Sequence, residues 1–197
     1  MATGGIQQPQ SNQGFLHGKL LIAMPGMPDQ RFEKSVILMC SHTAEGALGI
    51  IVNKPIPALP FRDLMAKMDI PVTAGTPRNP VLYGGPVETD RGYVLHGAEH
   101  ARRSATIAVT RDIALTPTVD VLRAIAEGRG PERWLMALGH AGWGPGQIEN
   151  EMAANGWIHC DGDAGIVFDA SMDEKWRLAF GKLGAGLSGL SSQVGRA

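Results

Sequence analysis

GHAGWGPGQIENEMAANGWI, residues 139 to 158, places four glycines ahead of a short polar helix and closes that helix with Asn155-Gly156. Just upstream, Trp134 to Leu138 is an apolar run suited to a strand. The segment Gly139 to Gly146 therefore reads as a strand-to-helix turn. Backbone N–H groups at such a turn are the usual cradle for a phosphate. The spacing matches neither a P-loop nor a dinucleotide fingerprint. Glu149 and Glu151 also put negative charge at the positive end of the helix dipole, where an anion would be repelled. The bland reading is preferred: a tight turn, with Trp143 plugging the core.

Outward from this stretch, strand and helix signals interleave. Lys19 to Met24 is a continuous apolar run closed by Pro25-Gly26, as expected for a strand buried on both faces. Met24 to Arg31 is a loop, because two prolines and a glycine exclude regular structure. Ser35 to Cys40 and Ala47 to Asn53 are strands, and the short link His42 to Gly46 predicts a hairpin. Pro57 to Met68 predicts a helix with Pro60 in its first turn and Phe61, Leu64, Met65 and Met68 on one face. Val81 to Tyr83 and Tyr93 to His96 read as strands around the turn Gly84-Gly85-Pro86, and Ala105 to Thr110 as another. Thr118 to Glu127 is a helix capped by Thr118 and ended by Gly128. Gly146 to Ala154 is a short helix. Trp157 to Cys160 and Ile166 to Phe168 are strands around Asp161-Gly162-Asp163, and Met172 to Lys182 is a last amphipathic helix. Hairpin links and helical crossovers together predict an α/β fold of mixed α+β type, a mixed central sheet flanked by helices.

Composition narrows the function classes. The 197 residues suit one large domain or two small lobes. The expected division is a tail over residues 1–14, one domain over 15–185 and a Gly/Ser-rich tail over 186–197. Eighteen basic against nineteen acidic residues, a net charge of -1, give no general attraction to nucleic acid or to an anionic membrane. The densest basic cluster is only Arg102-Arg103. Cys40 and Cys160 form no CxxC pair, so reduced thiols and a cytoplasmic location are expected. The N-terminal residues lack a basic segment followed by an apolar one, and no apolar run approaches the roughly 18 residues that span a bilayer. Twenty-six glycines must go into tight turns or close backbone approaches.

Several groupings invite chemistry. Cys40 and His42 are two apart and would share a face on a regular strand, as a thiolate and its base could. No orienting Asn or Asp accompanies them, so a buried structural cysteine is the preferred reading. His159, Cys160, Asp161 and Asp163 resemble a ligand cluster, but zinc would need further ligands from Cys40, His42 or His140. A calcium loop from Asp161 fails at its twelfth position, which is Met172. His96-Gly97-Ala98-Glu99-His100 spells HxxEH, yet it follows a strand and contains a glycine where that metal motif needs a helix. No GxSxG serine, helix-turn-helix or aromatic-basic stacking platform is present. No catalytic residue, metal site or cofactor is assigned.

Three long stretches, GKLLIAMPGMPDQRFEKSVILMCSHTAEGALGIIVNKP (18 to 55), LYGGPVETDRGYVLH (82 to 96) and GHAGWGPGQIENEMAANGWI (139 to 158), occur in order, followed by IVFD…KW (166 to 176). Together they resemble the YqgE/AlgH family of bacterial proteins over about residues 15 to 185. His140 departs from the family pattern, which has tyrosine there. The resemblance implies an α/β fold with a mixed sheet and room for a smaller two-layer α/β lobe, but no activity and no catalytic residues. One member name is tied to regulation of alginate synthesis, hence the alternative of a transcriptional regulator. A hydrolase or transferase using Cys40/His42 or a metal near His159 is the other alternative. The leading expectation is a non-catalytic binding or regulatory protein whose partner is a protein or small molecule. Its expected surface is the loops 24–31, 53–57, 84–91 and 139–147, with Asn53, Glu88, Asp90, Arg91, Trp143, Gln147 and Glu149 as binding residues.

Overall fold

The computed structural model describes residues 16–100 and 105–187. The two expected tails, the Arg102-Arg103 pair and Ser104 lie outside these residues, the C-terminal tail all but its first two. In chain order the elements are β1 (Lys19–Ala23), β2 (Val36–Thr43), β3 (Gly46–Ile51), β4 (Pro55–Pro60), α1 (Phe61–Lys67), β5 (Pro80–Tyr83), β6 (Val87–Gly97), β7 (Ile107–Ala108), β8 (Ile113–Thr116), α2 (Val119–Ala126), β9 (Trp134–Trp143), α3 (Gln147–Ala153), β10 (Trp157–Asp161) and α4 (Met172–Leu187). They build one curled, half-barrel sheet with helices, a mixed α/β fold. The strand order is β10-β1-β2-β3-β9-β6-β8-β7, with β5 joined to β9 and β4 to β5. Only β5 and β9 run parallel; the other pairs are antiparallel.

Several expectations are corrected. The glycine stretch is not wholly a turn, because β9 runs ten residues through Gly139 and Gly142 to Trp143, leaving only Gly144 to Gly146 as the turn. Pro57 to Pro60 belong to β4, and Pro60 is the N-cap of α1. A proline-rich run lacks ladder donors and has its φ fixed, which suits an extended edge better than a helix. Val87 to Arg91 are part of the eleven-residue β6, although irregular. Ile166 to Phe168 lie in a π-helical turn, Gly165–Asp169. The Asp163 side chain accepts the Ile166 N–H at 3.1 Å and so starts a helix where a strand would have its own partner. The strand predicted over Ala105 to Thr110 shrinks to β7, and β8 follows it. Met68 ends outside α1 and is exposed, whereas Phe61 and Met65 are buried as predicted.

The sheet has two apolar faces. Its concave face gathers Leu20, Leu38, Ile50, Leu82, Leu95 and Leu115, and the π turn and α4 fill the hollow with Ile166, Val167 and Ala179. The curl brings the two ends of the sheet together: a Cβ added at Gly18, just before β1, would touch the Val109 carbonyl, just after β7, and one at Gly162, just after β10, would meet the Thr110 side chain. The convex face is covered twice, by α3 over Leu21, Ile37, Ile51 and Ala141 and by α1 and α2 over Val81, Val94 and Met136. Lys175 of α4 is fully buried in the hollow. Its Nζ donates to the Val52 carbonyl at 2.9 Å and the Val167 carbonyl at 2.6 Å. Burial pushes this ammonium down to about 8, opposed by the Asp169 charge.

Strand β9 ties both convex layers together, and two bulges make this possible. Leu135 and Ala137 face the concave core, but Ala141 and Trp143, of the same parity, face the convex one. The inversion occurs at Gly139, whose φ is +73. In β2 the register slips between Met39 and Ser41, with the same result. Strand β5 lies on one side of β9 and β6 on the other, so the intervening chain must cross β9. Gly84 donates to the Leu138 carbonyl at 2.8 Å while its own carbonyl accepts from Ile51, and Val87 then pairs with His140. At the crossing, a Cβ on Gly85 would overlap the His140 backbone and one on Gly139 would overlap the Gly85 carbonyl. Gly85→Ala and Gly139→Ala are therefore expected to lose about 3 kcal/mol or more in chemical denaturation, or not to fold. Gly128→Ala has a left-handed backbone (φ +73) but open space around the added methyl, and should cost only about 1–2 kcal/mol. Equal losses at all three positions would refute the crossing constraint.

Candidate functional site

Helix α3 begins at Gly146, which holds a left-handed φ of +70. The first turn is fastened by Gln147, whose side-chain oxygen accepts the Gly144 N–H at 3.0 Å. The helix ends when Asn155 turns left-handed (φ +58) and Gly156 donates to the Glu151 carbonyl. Ile148 is its buried anchor on the convex face. Gln147 and Glu151, one turn apart, share one flank of this short element, and Glu149 points another way, to His42.

Glu151 organises an aromatic cluster. Its Oε2 accepts the indole N–H of Trp143 at 3.0 Å and of Trp157 at 2.8 Å. Its Oε1 accepts from the Gln147 amide at 2.8 Å. The two indoles meet edge to face with centroids 6.1 Å apart, and Phe32 stands against Trp157 at 5.5 Å. Beside them a groove of about 480 Å³ runs between the Pro25–Asp29 loop and the end of α3. Pro25, Met27, Phe32, Ala154, Asn155 and Trp157 line it, with Glu151 among them. The loop is held in place by the Met24 N–H donating to the Gly156 carbonyl at 3.0 Å. Asp29 is gripped by Arg31 through its Nε and a terminal nitrogen, and this hydrogen bonding holds its carboxyl below the usual range.

A second polar group lies on the same face. His42 Nδ1 accepts the Leu16 N–H at 2.9 Å, which leaves the ring proton on Nε2, 3.0 Å from a Glu149 oxygen. Both ring nitrogens are thus engaged. A small hollow of about 250 Å³ adjoins them, lined also by Met152 and His159. Cys40 and His42 do not share a face. The bulge at Cys40 leaves the thiol in the concave core and turns His42 to the convex side. Burial pushes the Cys40 thiol up to about 12, so it is no thiolate at neutral pH.

A third group sits where β6 crosses β9. The Tyr93 hydroxyl lies 3.1 Å from His140 Nδ1 and 3.3 Å from a Glu88 oxygen. Arg91 pairs with the same Glu88 oxygen at 3.2 Å and lies 5.4 Å from the Tyr93 ring centre. Burial lowers His140 and raises Tyr93 from their ordinary values.

The seven expected binding residues therefore separate. Trp143 and Gln147 meet at Glu151, and Glu149 faces His42 instead. Glu88 and Arg91 meet around Tyr93, with Asp90 exposed between them on β6. Asn53 is a bracket elsewhere: its oxygen accepts the Val36 N–H at 2.9 Å and its amide donates to the Lys34 carbonyl at 2.8 Å. Glu151, Phe32 and Trp157 were not among the expected residues. A glutamate eight residues after one tryptophan and six before another was the available signal. Among the described residues, no group of three or more His, Cys, Asp or Glu side chains is arranged to hold a metal ion. Asp161 instead pairs with Lys19, and Asp163 with Lys182 at 2.6 Å.

The AlgH-like family model matches residues 20–188. A UPF0301 protein from Afipia carboxidovorans is 46% identical over 203 residues, covering 98% of this chain and 96% of that protein. One from Bradyrhizobium diazoefficiens is 48% identical over 197 residues, covering 96% and 92%. The solution structure of the AlgH protein from Pseudomonas aeruginosa superposes with a TM-score of 0.76 at 36% identity, covering 96% of this chain and all of that one. A crystal structure from Corynebacterium diphtheriae, 20% identical, shares the fold with a TM-score of 0.64, covering 81% and 82% of the two chains.

Two outcomes are expected from this geometry. Glu151→Ala strands two indole donors and should cost about 2 kcal/mol in urea unfolding; Glu151→Gln keeps an acceptor and should cost less. Burial also lowers His140 and His159 below the ordinary histidine value, about 6.5. The unfolded chain then binds more protons than the native one. The stability these residues contribute is complete above about pH 6.5 and is lost as pH falls through their folded values. The urea midpoint should drop between pH 7.5 and pH 5, and the drop should shrink in a His140→Phe, His159→Phe variant.

Proposed function

The chain belongs to the AlgH-like family, and on that premise we propose that it is a non-catalytic binding protein of the bacterial cytoplasm, regulatory in role, that engages its partner through the face presented by α3. One observation carries this reading: the side chains with reactive names are committed, whereas the groove beside α3 is open. Cys40 is buried with its thiol pushed up to about 12, and both His42 nitrogens are engaged. Lys175 is bonded to two main-chain carbonyls. The groove, by contrast, presents aromatic and proline surface with few groups able to move a proton, the composition of a contact surface. Trp143, Gln147 and Glu149 enter the proposal as the residues that support this face. Glu88, Asp90, Arg91 and Asn53 are proposed only as its second rank.

The test compares three variants in a strain that depends on the protein. Ala154→Arg, at an exposed position on the groove rim, should abolish partner capture and complementation while leaving the melting temperature nearly unchanged. Cys40→Ala and His42→Gln should retain both. Normal function of Ala154→Arg alongside loss in a folded Cys40→Ala would replace the binding reading with a catalytic one.

A further inference from the structure

The groove beside α3 carries an uncompensated negative charge, and its surroundings state what would compensate it. Glu151 accepts three hydrogen bonds, all from neutral donors: two indoles and one amide. None of the ion pairs among the described residues involves Glu151. A carboxylate offers about four acceptor positions, and both on Oε2 are taken by indoles, so one position on Oε1 is left. The other carboxylate on the groove, Asp29, is already neutralised by Arg31. The groove thus has one partly exposed aromatic wall, Phe32, beside the nearly buried Trp157, and one carboxylate in no ion pair. Aromatic faces beside a carboxylate favour a cation, and among side chains favour the planar guanidinium, which stacks while it donates.

The same face already handles a guanidinium in this way. Arg31 lies with its central carbon 5.8 Å from the Phe32 ring centre while its nitrogens fork onto Asp29. That pair is a model, within the chain, of an arginine held by one ring and one carboxylate. Glu151, bonded directly to the Trp157 indole N–H, lines the same groove and has no such cation.

We infer that the groove takes an arginine side chain of a partner protein, with the guanidinium beside Phe32 and its charge against Glu151. This inference rests on the binding reading above and names the chemistry of what is bound. It commits to a single contact with Glu151, since Oε2 has no position left for a fork.

The test titrates the full chain, labelled with nitrogen-15, with N-acetyl-arginine amide and with its neutral isostere N-acetyl-citrulline amide, following the four indole N–H resonances. The arginine probe should shift the Trp157 and Trp143 signals and bind about threefold to fivefold more tightly than citrulline, the size expected of one exposed cation–aromatic contact. Raising the salt should erase that preference, because screening acts on the charged probe alone. Glu151→Gln should erase it as well. Ala154→Lys, which adds a competing cation at the rim without touching the indole bonds, covers the case in which Glu151→Gln unfolds. Equal binding of both probes overturns the arginine inference and leaves the binding reading intact. No shift from either probe at the Trp157 or Trp143 indoles overturns both.

Discussion

One crossing of backbone over backbone sets the architecture. The chain leaves β5 on one flank of β9 and must reappear as β6 on the other. It does so by passing Gly84-Gly85 across Gly139-His140 at a separation no side chain tolerates. A strand crossed in this way cannot keep one regular pleat. Gly139 takes the left-handed conformation, β9 gains an extra residue, and every side chain beyond it changes face. The first half of β9 can therefore pack beneath α1 and α2 while its second half packs beneath α3. Trp143 becomes the floor of the tryptophan cluster only because of that inversion. Without it, Trp143 would point into the concave core and Glu151 would lose one of its two indoles.

The concave side meets a different constraint. A curled sheet leaves a hollow, and α4 fills it with a lysine instead of another aliphatic residue. Lys175 is fully buried and donates to the first carbonyl beyond β3 and to one in the π turn. Those carbonyls belong to segments that leave regular structure, where no ladder partner exists for them. Taking an ammonium out of water is costly. The two carbonyls offset part of that cost and fasten α4, the π turn and the sheet to one point. Trp176, the next residue, adds a donor to the Ala23 carbonyl at 2.9 Å on β1. The helix is thus positioned by hydrogen bonds as well as by apolar burial, which explains how a glycine-containing helix holds its place.

Legibility from the sequence follows how local each signal is. Apolar runs such as KLLIA and SVILMC, the hairpin between β2 and β3, and α2 with Gly128 beyond its end were readable, because periodicity and end signals act within a few residues. The continuation of β9 through Gly139 was not. Glycines argue for a turn locally, whereas here Gly139 is required by the chain that crosses it at Gly85, far upstream in the sequence. The same holds for the bulge at Cys40, which makes two residues of equal parity face opposite ways. PIPALP is extended because β5 pairs with it, and Ile166 to Phe168 coil because Asp163 and Lys175 supply partners. Of the candidate site, Trp143, Gln147 and Glu149 were found through the glycine stretch. Glu151 was noticed only for its charge, since its two tryptophans come together through the sheet.

That charge is where the glycine stretch acquires its meaning. Glu149 and Glu151 argue against a phosphate at the start of α3, and the structure gives each carboxylate a specific partner set: His42 for Glu149, two indoles and an amide for Glu151. The two cases differ physically. Glu149 faces the Nε2–H of a ring whose other nitrogen is held by the Leu16 N–H, so its partner is fixed within the chain. Glu151 is met by donors that stay neutral at every pH a cell reaches. Its carboxylate, bonded to both indoles, lines the groove whose aromatic wall it helps to hold. The residues that keep α3 on the sheet are therefore the same ones that give the neighbouring groove its electrostatic character, and neither property can be changed without the other.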